Sequence, residues 1–167
     1  AIFGRNELGL SQTTILGTFL MIQFVAMPGA LLFGRLAERW GAKWAVLASL
    51  LLFIAVTVYA YFMRHGWQFW LLGLVVALIL GGSQAISRSL FASMVPPGKN
   101  AEFFAFYAIS GKFAAILGPL LFAVIDSWTG STRLAVLTLT AFFALGITLL
   151  LGVNVARGVS LARGEES

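Results

Sequence analysis

The 167-residue chain is 60% hydrophobic and 10% charged, a balance that no water-soluble domain of this length can hide in one core. The composition therefore predicts a membrane protein. The net charge of +5 does not indicate nucleic-acid binding, because the basic residues are scattered singly, and the absence of cysteine excludes disulfides and thiolate chemistry.

Five apolar segments are long enough to cross the hydrocarbon core, which takes about 20 residues per helix. Polar, Gly or Pro residues separate them, as expected where the chain leaves the bilayer. The pattern predicts an all-α integral membrane fold with one membrane domain over residues 13–153. Its predicted spans are 13–34, 44–63, 69–94, 103–125 and 134–153.

The basic residues predict the orientation, because Lys and Arg are retained on the cytoplasmic side. Most of them share one side of the predicted spans: Arg35, Arg39, Lys43, Arg88, Lys99, Arg157 and Arg163. Only Arg5, Arg64 and Arg133 fall on the other side. We therefore expect an extracytoplasmic stub over 1–12 and a cytoplasmic tail over 154–167. The first residue is Ala1, and no signal-peptide layout follows it, so we interpret the N-terminus as a truncation.

The chain contains an internal repeat. The sequence Gly-Ala-Leu-Leu-Phe at 29–33 matches Gly-Pro-Leu-Leu-Phe at 118–122, and the match continues through 43–47 and 133–137. The first two predicted helices thus resemble the last two. An offset of three helices gives the copies opposite topology, as in the inverted repeats of many transporters. The alternative is chance similarity among Leu- and Ala-rich helices. A true repeat predicts a six-helix half whose first helix precedes this chain.

Polar residues are concentrated in the first, third and fourth helices, so we expect these helices to face a cavity or a partner and the other two to face lipid. Gln23 lies on the first helix, Gln84 and Arg88 lie on the third, and Lys112 lies near mid-depth on the fourth. Arg88 could instead extend its guanidinium to the interface. The ammonium of Lys112 needs water, an anionic substrate or a carboxylate outside this chain as a partner.

Proline and glycine interrupt the polar helices, as expected of helices that bend during transport, although close packing by small residues explains them equally well. The predicted hinge residues are Pro28, Gly29, Gly81, Gly82, Gly111, Gly118 and Pro119. Catalysis is not indicated: His65 and Asp126 are isolated in predicted outer loops, and no metal-ligand or triad spacing occurs. We expect no enzyme activity, no metal and no cofactor.

The segment 34–43, GRLAERWGAK, resembles the signature loop of the major facilitator superfamily, with Glu38 in place of Asp and Ala42 where a basic residue is usual. The residues that carry the resemblance are Gly34, Leu36, Glu38, Arg39, Gly41 and Lys43. Family analogy places Glu38 at the start of the fourth helix, which Asn100 could cap.

A narrower resemblance covers GSQAISRSLF at 82–91, VPPG at 95–98 and EFFAFY at 102–107. These stretches resemble the bacterial relatives of the autophagy-related vacuolar amino-acid effluxers. The resemblance implies the eighth to twelfth helices of that fold, a secondary transporter that exports amino acids or similar solutes, and a bacterial inner membrane.

In this hypothesis Gln23, Gln84, Arg88 and Lys112 line the substrate path. The expected partners are the lipid bilayer, the missing N-terminal half of the polypeptide and a small-molecule substrate, with no nucleic acid. Proton coupling stays open. The alternatives are a non-transporting scaffold or receptor on the same fold, or a membrane-embedded enzyme.

The predicted orientation can be measured with single cysteines and an impermeant thiol reagent applied from outside. We expect Arg64→Cys and Arg133→Cys to be labelled and Arg39→Cys and Lys99→Cys to be protected. Labelling of position 39 in intact cells would show that the orientation is reversed.

Overall fold

The computed structural model describes residue 9 and residues 11–164, so most of the predicted stub and the last three residues lie outside it. Within that part of the chain all regular structure is helical, and five helices are long and apolar enough to span a membrane. The predicted all-α, five-span architecture is confirmed. The helices are α1 (Gln12–Trp40), α2 (Ala42–Phe62), α3 (Gly66–Ser93), α4 (Asn100–Thr129), α5 (Thr132–Gly152) and the short α6 (Val155–Arg163).

The signature segment is largely helical, whereas the sequence predicted a loop over 35–43. Its residues are mostly good helix formers, so α1 continues to Trp40 and ends only where Gly41 adopts a φ of 85°. In the same way α4 ends at Gly130, with a φ of 64°. Glycine is required at both ends because side chains rarely adopt this conformation.

Short connections make successive spans antiparallel. Gly41, the 94–99 turn and α6 therefore lie on one side of the membrane, here called the signature side, and residues 63–65 and 130–131 lie on the opposite side. In the 94–99 turn the N–H of Lys99 donates to the carbonyl of Pro96, with Gly98 at a φ of 82°. This geometry reverses the chain within a few residues.

The helices α1 and α3 make the most extensive contact in the structure, and they run parallel to each other. At their crossing Gly29 lies against the backbone of Leu78, and Gly81 lies against the backbone of Ala26. A Cβ atom at either glycine would overlap a carbonyl group. Small residues thus allow two membrane helices to approach at backbone distance.

The helix α2 is more buried than the sequence suggested, because it contacts α1, α3 and α5. Its residues Ala45 and Val46 join the core cluster that contains Phe33 of α1 and Ile79 and Ile86 of α3. The expectation that α2 faces lipid therefore holds for only part of its surface. Its apolar composition serves helix packing as well as lipid contact, and composition cannot separate the two.

The helix boundaries follow the internal repeat. Residues 42–62 of α2, shifted by 90 positions, give 132–152, which are the limits of α5. Residues 12–40 of α1, shifted by 89 positions, give 101–129, and α4 covers these residues and begins one residue earlier, at Asn100. These coincidences favour a true repeat over chance similarity.

The pair α2 and α5 exchanges helix-capping contacts at its two ends. On the signature side, Nζ of Lys43 donates to the carbonyls of Leu151, at 2.9 Å, and Val153, at 2.7 Å. On the opposite side, Arg133 donates to the carbonyl of Tyr61 at 3.0 Å. Lys43 and Arg133 are 90 positions apart, as are Tyr61 and Leu151, so the repeat relates the two contacts.

A ring pair between these contacts completes the symmetry. Phe53 and Phe143, also 90 positions apart, stack on each other with centroids at 5.1 Å and ring planes 9° apart. Equivalent residues that contact each other lie beside a two-fold axis. The two helices therefore form a pseudo-symmetric antiparallel pair fixed at both ends and in the middle.

The helix α6 folds back against the signature side. The side chain of Asn154 accepts from the N–H of Arg157 and caps the helix, and Gly158 lies against Met94 at the end of α3. Val155 packs on the core cluster. Residues 155–163 of the predicted tail are therefore an ordered helix that supports α3.

The exchanged caps lead to a stability prediction. Lys43→Met and Arg133→Met each remove a charged donor from helix carbonyls that lipid cannot satisfy, so we expect each to cost about 1–3 kcal/mol. Tryptophan fluorescence of the detergent-solubilised protein during heating should show a lower midpoint for both. Lys43→Arg should keep most of the stability.

Arg64→Met is the matched control, since the exposed Arg64 side chain makes no hydrogen bond or ion pair within residues 11–164. Its melting midpoint should not change. Parental stability in both capping variants would contradict a structural role for the exchanged contacts.

Candidate functional site

The four residues predicted to line a path lie on three helices and are all exposed within this chain. Gln23 is on α1, Gln84 and Arg88 are on α3, and Lys112 is on α4. No hydrogen bond or ion pair joins them to one another or to another described residue. Such side chains at membrane depth require water, a ligand or further protein.

Three residues of α3 form one stripe, because Gln84, Arg88 and Phe91 recur at steps of four and three. Phe91 contacts α4 directly, with its ring centroid 5.5 Å from that of Phe104 and 4.9 Å from that of Tyr107. The stripe that carries Gln84 and Arg88 is thus the stripe that faces α4 on the signature side.

Counting along the helices from the Phe91 contact places the polar residues in depth. At 1.5 Å per residue, Arg88 lies about 4.5 Å and Gln84 about 10.5 Å beyond Phe91 toward the opposite side. Lys112 lies about 7.5 Å beyond Tyr107 on the antiparallel α4. Lys112 is therefore at a level between Arg88 and Gln84, so the structure brings these three to similar depth.

Gln23 lies farther from the signature side. It is three residues before Ala26, which contacts Gly81, and Gln84 is three residues after Gly81. On parallel helices these offsets separate the two glutamines by about 9 Å in depth. The close crossing of α1 and α3 lies between them, so Gln23 belongs to a different level of any shared path.

Among the described residues, no carboxylate lies at the depth of the two cations. The acidic residues within the described part of the chain are Glu38 near the end of α1, Glu102 in the first turn of α4 and Asp126 near its last turn. All three lie toward the membrane faces. The described charges at this depth of α3 and α4 are consequently positive.

The helix α4 has little support in this chain. None of its residues is buried; it contacts α5, and it meets α3 mainly through the aromatic contact. The face of small residues that carries Lys112 is exposed along its length: Ala105, Ala108, Lys112 and Ala115. An uncovered face with a charge at its centre is typical of a cavity wall or a protein interface.

The predicted hinge residues separate into two groups. Gly29, Gly81 and Gly82 are packing positions, where a Cβ atom would overlap a neighbouring helix, which favours the close-packing interpretation. Gly111 and Gly118 have no such neighbour within 4 Å. Both α1 and α4 continue through their prolines, Pro28 and Pro119. A hinge role for any of these residues stays a prediction.

Glu38 lines a cleft of about 420 Å³ on the signature side. Glu38 is the only charged residue in the lining, which comes from α1, α2 and α3. The lining residues are Ala30, Gly34, Ala37, Glu38, Ala42, Ala85, Ile86 and Ser89. No hydrogen bond or ion pair links Glu38 to α4 in the described ranges, so the expected contact is absent in this conformation.

The expected cap at Asn100 is also absent. The residue before α4 is Lys99, whose ammonium can only donate, and Asn100 already lies within the first turn. Among the other signature residues, Gly41 ends α1 and Lys43 caps α5. The resemblance identified these positions as signature residues. Only the structure shows that Lys43 contacts the carbonyls of Leu151 and Val153, which are distant in sequence.

His65 and Asp126 belong to no candidate metal-holding group in the described chain. Within it, no three His, Cys, Asp or Glu side chains converge on a metal position. His65 precedes α3, where Oε1 of Gln68 accepts from the N–H groups of Arg64, at 2.9 Å, and His65, at 2.8 Å. The segment 64–68 is therefore a helix start.

Comparison with known proteins identifies the family to which this arrangement belongs. The family model described as "Vacuole effluxer Atg22 like" matches residues 1–163. The chain belongs to this family. Family membership confirms the resemblance drawn from residues 82–91, 95–98 and 102–107.

The chain is 43% identical over 145 residues to "Uncharacterized MFS-type transporter YxiO" of Bacillus subtilis (strain 168), with 87% of this chain and 34% of that relative covered. It is 31% identical over 165 residues to "Autophagy-related protein 22-1" of Neosartorya fischeri, with 89% of this chain and 27% of the relative covered. No solved structure matches the chain.

This member of the Atg22-like family is thus a multi-pass membrane protein of a transporter family, and it spans about a third or less of the length of these relatives.

Sequence reasoning missed the exchanged caps and the aromatic contact between α3 and α4. The repeat offset of 90 contained a signal for the caps, because it pairs Lys43 with Arg133 as basic residues at two helix starts.

The α1–α3 crossing gives a prediction with a matched control. Gly81→Ala introduces a Cβ that overlaps the Ala26 carbonyl, so we expect about 1–3 kcal/mol of destabilisation and a lower melting midpoint. Gly111→Ala meets open space and gains helix propensity, so its midpoint should stay or rise. Equal midpoints for the two variants would contradict a packing role for Gly81.

Proposed function

We propose that this Atg22-like chain is the C-terminal part of a secondary transporter that exports amino acids or similar small polar solutes by alternating access. The observation that carries the proposal is the pair of exposed cations, Arg88 and Lys112, at similar depth on α3 and α4 with no carboxylate beside them in the described chain. The family description as an effluxer supports the direction.

The cost of burying charge is the physical argument for an anion between the two helices. A cation near the bilayer centre costs about 2.5–3.5 kcal/mol on insertion scales, a cost that applies to Lys112 near mid-depth, and Arg88 nearer the end of α3 adds a second positive charge that repels it. A carboxylate between them offsets both terms. An amino acid supplies this carboxylate, and the side-chain amide of Gln84 at the same level offers an acceptor and donors for other polar groups.

The remaining walls of the path come, in this proposal, from the rest of a longer polypeptide. The uncovered face of α4 and the exposed Gln23 support it, as does the small share of each relative that this chain covers. An acidic side chain in that remaining part would carry any coupled proton. The proposed location is a bacterial inner membrane, with the signature side cytoplasmic.

The decisive test is Lys112→Met in the complete transporter, reconstituted in liposomes loaded with an equimolar amino-acid mixture. The change preserves length and removes the charge. We expect efflux, measured by mass spectrometry of the external medium, to fall about tenfold or more. Removing one partner of a buried charge pair typically costs about 2 kcal/mol or more of binding free energy.

Arg64→Met, which removes a charge outside the spans, should leave efflux unchanged. Lys112→Arg should recover only part of the rate, since a planar guanidinium differs in shape from an ammonium. Parental efflux by the Lys112→Met protein would contradict a charge role and favour extension of the lysine side chain to the interface. No efflux by the parent would favour a scaffold or receptor.

A further inference from the structure

An apolar groove of about 240 Å³ lies between α2 and α3, in the half of the membrane opposite the signature side. Val56 of α2 and Val75 of α3 line it and also pack on the core cluster, so they form its floor. Leu52, Tyr59 and Leu71 are exposed and form its walls. The groove is therefore open at the surface of the packed helices.

The groove covers the depth of one membrane leaflet. Tyr59 and Leu52 precede Phe62, the last residue of α2, by three and ten positions, which places them about 4.5 Å and 15 Å from that end. On α3, Val75 lies about 13.5 Å from the first residue of the helix. Half of the hydrocarbon core is about 15 Å thick. The groove thus runs from near one membrane face to the middle of the bilayer.

The α2 wall of the groove is turned away from α5. Phe53 stacks on a ring of α5, and the hydroxyl of Thr57 lies 2.9 Å from that of Thr140. Ala55 and Tyr59 each follow one of these α2 contact residues by two positions, a rotation of about 200° around the helix. The side of α2 that forms the groove is therefore opposite the side that packs on α5.

The α3 wall is turned away from α1 and from the polar stripe. Gly73 lies against Thr18 of α1 at this depth. Leu71 and Val75 are each two positions from Gly73, again about 200° around the helix. Gln84, on the polar stripe, follows Val75 by nine positions, about two and a half turns, and so lies on the opposite face. Polar residues at membrane depth face protein or water, so the groove is on the face of α3 that contacts lipid.

Tyr59 gives the groove a polar end. Among the lining residues only Tyr59 carries a polar side-chain atom apart from the backbone, and its hydroxyl makes no hydrogen bond within residues 11–164. An unpaired hydroxyl in an apolar environment costs free energy. Tyrosine is favoured at the boundary between hydrocarbon and headgroups, where its ring is apolar and its O–H reaches a polar partner. The ester carbonyl of a phospholipid lies at this boundary and accepts such a bond.

We propose that the α2–α3 groove binds one acyl chain of a glycerophospholipid from the leaflet opposite the signature side, and that Tyr59 donates a hydrogen bond to the ester carbonyl of that chain. Water finds no partners along the apolar lining, and an unfilled groove forfeits dispersion contacts. A flexible acyl chain restores those contacts. This inference concerns the outer surface of α2 and α3 and does not depend on the proposed function.

Photo-crosslinking locates the chain. The complete polypeptide is reconstituted with a trace of phosphatidylcholine that carries a diazirine in one acyl chain, and the adducts are mapped by peptide mass spectrometry after illumination. We expect adducts at Leu52, Ala55 and Leu71 to exceed severalfold those at Ala141, an exposed residue at similar depth on α5. Adducts at Ala141 with none in the groove would show that another part of the polypeptide covers it, which would overturn the proposal.

A groove-filling substitution tests occupancy. Ala55→Trp places a large side chain in the groove, so native mass spectrometry of the purified protein should show a severalfold loss of retained phosphatidylcholine. Ala141→Trp adds the same side chain outside the groove and is the matched control, with retention equal to that of the parent. Parental retention by Ala55→Trp would contradict a chain in the groove.

The hydrogen bond is tested by comparing two lipids with the same chains and headgroup, a diester and a diether. The parent should retain the diester about fivefold better, as expected for one hydrogen bond. Tyr59→Phe keeps the ring and removes the donor, so it should retain both lipids equally. Equal retention of the two lipids by the parent would reject Tyr59 as the donor, whatever the result for Tyr59→Phe.

Discussion

Hydrocarbon offers no hydrogen bonds to a peptide backbone, so each free carbonyl at the end of a membrane helix needs a donor from the protein or from water. In this Atg22-like chain the pair α2 and α5 supplies such donors reciprocally. Lys43 at the start of α2 bonds the last carbonyls of α5, and Arg133 at the start of α5 bonds a carbonyl at the end of α2. One basic residue at each membrane face thus satisfies a helix end and sets the position of a neighbouring span.

The other helices are arranged around the α2–α5 pair. The helix α2 also contacts α1 and α3, whose glycine crossing brings their backbones together, and the core cluster fills the space among the three. The helix α4 is outside this packed group and meets α5 on one side and the Phe91 contact on another. A well-packed group beside a lightly held helix is a physical basis for movement localised to α4.

The location of the charged residues matches this division. Arg88 lies on the packed α3 and Lys112 on the lightly held α4, so in the proposed function the repulsion between these cations acts between a well-supported and a lightly held helix. In the proposed function, a bound carboxylate would reduce that repulsion. Substrate binding would then favour a shorter distance between α3 and α4 and so be linked to helix position. A ligand shifts a conformational equilibrium in this way through its different contacts with the two states.

The sequence alone determined the number of spans, the all-helical fold, the family and the set of polar residues, because hydropathy, helix length and the motifs at 34–43 and 82–91 are local properties of the chain. The repeat also indicated which helices are equivalent. Only the tertiary structure decided what these residues contact. It extended α1 through the expected loop to Trp40, placed α2 among three helices and gave Gly29 and Gly81 a packing role. Within the described residues it left Glu38 without a hydrogen bond or ion pair to α4. The physical reason is that these outcomes depend on contacts between residues far apart in sequence, such as Lys43 with Val153, and similar apolar helices can pack in many ways until side-chain shape and charge select one.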